Sequence, residues 1–190
     1  MTIAFKEWAV VVDALGRGEQ IVILRKGGIA EGRGGFQVEH ERFWFFPTLF
    51  HQQRESVLPT AQSRYDAIAP HFPSADTVRL EYFAEVTEAR QVDSLAAAER
   101  LRGQHIWRDE VIAQRFDWGR DKAIHALTVR VRRLPQPVSL PMLPEYGGCK
   151  SWVTLAQELD TNAATPVLGQ SAFESKLAAV REALGTELAR

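Results

Sequence analysis

Arg25 and Lys26 end an apolar run and stand directly before Gly27 to Gly35, a stretch that holds five glycines. Two cations beside glycine-rich backbone, whose amides can turn toward a phosphate, make an anion site of Ile23 to Gly28. The competing reading is a pair of solvated charges at a strand exit. A second group, Glu39, His40, Glu41 and His51, supplies two carboxylates and two imidazoles, enough for a divalent metal or for acid–base chemistry. On a strand, Glu39 and Glu41 face one way and His40 the other, which is also the pattern of a solvent-facing edge. His51, beside a helix start, is the better single candidate.

Aromatic residues interleave with an arginine at Trp107, Arg115, Phe116 and Trp118. That mixture suits phosphate contact and base stacking, each stacked base adding ~1–3 kcal/mol. Phe116 and one tryptophan are expected to serve the core instead. Arg130, Arg132 and Arg133 make a local basic stripe that either follows a phosphate backbone or guards a sheet edge. Lys150 stands next to Cys149, but no His or Asp lies near in sequence to activate that thiol, so an inert cysteine is the expectation.

Elements must hold these side chains in place. Phe5, Trp8, Ala9, Val12 and Leu15 recur at helical spacing and predict an amphipathic helix stopped by Gly16 and Gly18. Gln20 to Leu24 is apolar and β-branched, which predicts a central strand covered on both faces. Phe36 to Phe46 returns as its antiparallel partner and ends at Pro47. Thr48 then caps a short helix carrying His51 and Gln52. Residues 56–76 read as irregular helix and turn. Val78, Leu80, Tyr82, Ala84 and Val86 alternate as a half-buried strand, with Phe83 as a breach on its outer face. Ser94 or Asp93 caps an alanine-rich helix that Gly103 closes.

Residues 105–118 fit neither template. From Ala123 to Val131 a strand puts His125, Leu127, Val129 and Val131 on one face. Pro135, Pro137, Pro141 and Pro144 predict an extended crossing segment. Phe173, Leu177, Val180, Leu184 and Leu188 form one stripe of a last helix, which either docks on the core or pairs with a second copy as a homodimer. The sum is α+β, a small curved, mostly antiparallel sheet or barrel with flanking helices. Residues 1–160 are expected to form the single domain, and 161–190 a linker and C-terminal helix.

With 45% hydrophobic and 25% charged residues, the 190-residue chain is ordinary for a globular protein. Its net charge of −1 gives no global field, so binding to a polyanion must rest on a local patch. One cysteine excludes an internal disulfide, and the opening residues read as neither signal peptide nor membrane span; a reducing cytoplasm is the expectation. No dinucleotide, P-loop or zinc-finger spacing occurs, and no cofactor is expected.

Taken together, KEWAVVVDAL, ILRKGGI, FWFFPTLFHQ, the pair Arg115 and Phe116, and YGGCKSW resemble the family called domain of unknown function 1802, from about Phe5 to Leu155. The segment Gly18 to Arg25 is similar to the strand of ASCH domains in the PUA-like superfamily, matching at Gly18 and Arg25, with Gln20 and Ile23 where that pattern has Lys and Glu. This second resemblance implies a small barrel of a kind that commonly binds RNA or modified nucleotides. The leading expectation is a module that binds RNA or single-stranded nucleic acid through Arg25, Lys26, His51, Arg115, Arg130, Arg132 and Lys150. The alternative is a metal-dependent hydrolase acting on a nucleotide or nucleic acid, with Glu39, Glu41 and His51 around the metal.

Overall fold

A computed structural model describes residues 1–26, 40–119 and 122–185. Strand β1 (Ile3–Trp8) runs straight into helix α1 (Ala9–Gly16), and β2 (Val22–Arg25) follows. After β3 (Arg42–Thr48) come α2 (Gln52–Glu55), α3 (Pro59–Ile68) and the long strand β4 (Thr77–Val92). Helices α4 (Leu95–Glu99) and α5 (Asp109–Asp117) precede β5 (Ile124–Pro141). Strands β6 (Trp152–Thr154) and β7 (Thr165–Pro166) and helix α6 (Gln170–Leu184) complete the described elements.

The strands form one curved, open sheet in the order β2-β5-β4-β3-β1-β6, with β7 on β5. β1 and β3 pair in parallel, and the other described pairings are antiparallel. The α+β expectation therefore holds. Consecutive aromatics in β3 explain how the sheet is covered: Phe43 and Phe45 join the main core with Phe5 and Val129, while Trp44 and Phe46 join a second core with Leu80, Phe83 and Tyr146. Alternation along the strand divides one aromatic run between two faces. Each such side chain taken from water contributes roughly 1.5–3 kcal/mol.

Several expectations are corrected. Phe5 and Trp8 belong to a strand, because hydrogen bonding of β1 to both β3 and β6 outweighs their helical spacing; the helix begins only at Ala9. β2 is buried as expected, but it lies at one end of the strand order and pairs with β5. β3 is taken instead by β1 and β4, so the expected hairpin between β2 and β3 does not form; residues 27–39 lie outside the described residues. Thr48 caps no helix: it ends β3, and its hydroxyl donates to the Glu7 carbonyl at 3.1 Å.

Phe83 is no breach. A register shift between Leu80 and Tyr82 reverses the alternation, so Leu80 and Phe83 both reach the second core. The same irregularity admits prolines into β5. The ladder to β4 passes from Arg133 to Val138, leaving Pro135 and Pro137 where no amide donor is required. In α6, Phe173, Leu177 and Val180 are buried in the main core, so the stripe docks on its own chain; Leu188 lies outside the described residues. No described helix is long and apolar enough to cross a membrane.

Candidate functional site

The end of β1 meets the end of β2 against α5. Alternation in β1 sends Phe5 and Glu7 to the main-core side, where Glu7 is 1% exposed. One carboxylate oxygen of Glu7 accepts the Trp8 amide at 2.7 Å, and the other is buried without a partner among the described residues. Arg25 Nη2 donates to the Lys6 carbonyl at 2.6 Å, and its guanidinium lies 4.5 Å from the Phe5 ring centre. Arg115, carried by α5, donates through Nη1 to the Leu24 carbonyl at 2.9 Å. Its guanidinium stacks against both Trp8 and Trp107, at 4.9 and 5.0 Å. Lys26 Nζ donates to the carbonyls of Phe116 and Ala123 at 2.9 and 3.0 Å.

These bonds tie β1, β2 and α5 together through cations that donate to backbone carbonyls. A carbonyl is a neutral acceptor, so the bonds of Arg25 and Arg115 orient those two guanidinium groups without themselves cancelling their charge. Burial pushes the Arg115 guanidinium down to about 10; nearby Glu7 opposes that shift and Arg25 adds to it. Arg115 accordingly remains charged at neutral pH.

A cavity of about 330 Å³ opens beside this cluster, lined by Trp8, Lys26, Ser56, Val111, Gln114, Arg115 and Trp118. Trp118, at the C-terminal end of α5, is 70% exposed, whereas Trp107 and Phe116 are core residues. Indole faces, two cations and an amide on one cavity suit a flat aromatic group that carries negative charge.

The other candidates lie elsewhere. Lys150 is exposed in a segment that returns along β1: the Lys6 amide donates to the Ser151 carbonyl at 2.8 Å and Lys6 Nζ to the Gly148 carbonyl at 2.9 Å. Burial, and then the charge of Lys150, lower the Lys6 pKa, while Cys149 acts in the opposite sense. Arg130 packs over the Phe173 ring at 4.9 Å. Arg132 and Arg133 donate to Glu85 and Glu81 at 2.9 and 2.8 Å, so the stripe is occupied by packing and ion pairs.

His51 and Glu41 are both exposed and lie beyond opposite ends of β3. A strand of that length rises ~3.3 Å per residue, which puts them roughly 20 Å apart. Glu39 lies outside the described residues. Among the described residues no group of three or more His, Cys, Asp or Glu side chains could hold a metal. By spacing alone Lys6, Glu7 and Trp8 read as part of a helix, which hides the place of β1 in this cluster; charges inside the apolar opening run are the signal available.

A family model described as Domain of unknown function (DUF1802) matches residues 4–179. No curated protein matches the chain. Among solved structures, the crystal structure of ASCH from Zymomonas mobilis is similar at 14% identity over 94% of each chain, with a TM-score of 0.42. A point mutant of that ASCH protein is similar at 14% identity over 94% of this chain and 96% of its own, with a TM-score of 0.44.

Proposed function

The chain belongs to the DUF1802 family of domains of unknown function, and from the site of this member we propose that it binds RNA or other single-stranded nucleic acid at the cavity between Trp8 and Trp118. The observation that carries the reading is a 70% exposed indole, Trp118, on the same cavity as Lys26 and Arg115. A large aromatic left in water is covered favourably by a base, and cations beside it attract the phosphates on either side of that base. Arg25 adds positive charge beside Arg115, behind the cavity wall. The separation of Glu41 from His51 gives metal-assisted hydrolysis no support.

Fluorescence anisotropy with a labelled single-stranded RNA of about 12 nucleotides, within the range of small single-strand sites, tests the reading. Binding is expected at low salt, and Trp118→Ala is expected to weaken it roughly ten-fold or more, the loss of one stacked base. A wild-type protein that leaves the anisotropy unchanged at low salt would rule the reading out.

A further inference from the structure

A larger cavity, about 570 Å³, lies between α1, the end of β3, α3 and the start of β4, and shares no lining residue with the first. Its volume is within the range of small-molecule sites, roughly 300–1,000 Å³. Val12, Leu49, Ile68, Phe72, Val78 and Met142 give it apolar walls. The register shift after Leu80 aims Tyr82 here, and its ring fills the place of a side chain at Gly16, where an added Cβ would stand 2.5 Å from the Tyr82 Cζ.

The charged groups of the wall are unequally satisfied. Asp13 accepts two hydrogen bonds from Arg17 Nε, at 3.1 and 3.0 Å. Glu81 Oε1 accepts from Arg133 at 2.8 Å. Arg79, in contrast, has a 3.8 Å contact with Glu81 Oε2 as its one ion pair among the described residues, and its side chain, part of the cavity lining, is 53% exposed. His71, also in the wall, is exposed, and burial raises the Tyr82 pKa above that of an ordinary phenol. An entering amine would find both carboxylates already engaged, whereas a carboxylate would find a guanidinium with unused donors in fork geometry.

We infer that this cavity binds a small amphipathic carboxylate, its hydrocarbon body against Ile68, Leu49 and Phe72 and its head group on Arg79. The inference stands independently of nucleic-acid binding. NMR titrations with sodium octanoate, 1-octanol and octylamine test it. Octanoate is expected to shift the Leu49, Ile68 and Met142 signals saturably and to bind more tightly than octylamine. Arg79→Gln is expected to weaken octanoate about five-fold or more, the loss of a charged hydrogen bond, while leaving 1-octanol unchanged. Ile68→Trp, which fills the cavity, should abolish binding of both. Octylamine binding as tightly as octanoate, octanoate affinity unmoved by Arg79→Gln, or no saturable shift at the cavity would each overturn the inference.

Discussion

His105 packs against Trp107 with ring centres 5.5 Å apart, and both of its nitrogens are buried without a partner among the described residues. Burial pushes its imidazole down to about 4, with Asp109 pulling the other way and Arg115 reinforcing the shift. The unfolded chain takes up that proton near pH 6.5, while the folded chain resists until about 4. Stability is therefore expected to fall as pH drops from 6.5 toward 4, by up to about 3 kcal/mol, and to change little from this source below that. Urea unfolding at a series of pH values checks the point: His105→Phe should flatten the slope over that interval, leaving the smaller contribution of His125, whose pKa burial lowers in the same direction. An unchanged slope would assign the effect elsewhere. The isolated histidine in the sequence carried no mark of this burial, since its cover comes from residues distant in the chain. Arg115 is a similar case. Its type was legible, but its place between two tryptophans requires β1 and α5 to meet.

Where local chemistry decides an element, the sequence was readable. Ser94 does cap α4, its hydroxyl accepting the Ala97 amide at 3.1 Å, because capping depends only on residues within one turn. β1 reads as helix for the opposite reason, since the partners that make it a strand lie in β3 and β6. The last helix was legible as an amphipathic stripe but not as to what covers it. Its C-terminal carbonyls are held by two arginines, Arg90 to Gly185 at 3.0 Å and Arg100 to Ala183 at 2.6 Å, cations that also oppose the negative end of the helix dipole. Truncation after Asp160 removes Phe173, Leu177 and Val180 from the main core. The expected cost is roughly 5 kcal/mol or more at 1.5–3 kcal/mol per side chain, so the shortened chain should lose its cooperative thermal transition. A truncated protein that melts like the full chain would show α6 to be dispensable.

A molecule with a net charge of −1 binds a polyanion only through local charge. With Lys26 and Arg115 as the phosphate contacts, the logarithm of RNA affinity should fall against the logarithm of salt with a slope between about −1 and −2. Lys26→Gln should reduce that slope by about 0.7, the share of one phosphate on a single strand, and Arg132→Gln, already held by Glu85, should leave it unchanged. Equal effects of the two substitutions would move the interface to the stripe. Composition and alternation disclosed the class of fold and the FWFF strand. They could not disclose that Arg25, Lys26 and Arg115 would gather while Arg130 and Arg132 were drawn to Phe173 and Glu85, because such choices are made by strand order.

Strand order also sets a timetable. The first strand takes its neighbours from residues 42–48 and 152–154, and the amino terminus itself reaches Glu158 at 2.8 Å and the Leu159 carbonyl at 3.0 Å. On a ribosome that adds ~5–20 residues per second, the opening segment must wait for residues 152–159 to emerge before its place in the sheet is complete. Until then the β6 edge of β1 has no strand beside it, and the outer margin of the sheet is the last part to be laid down.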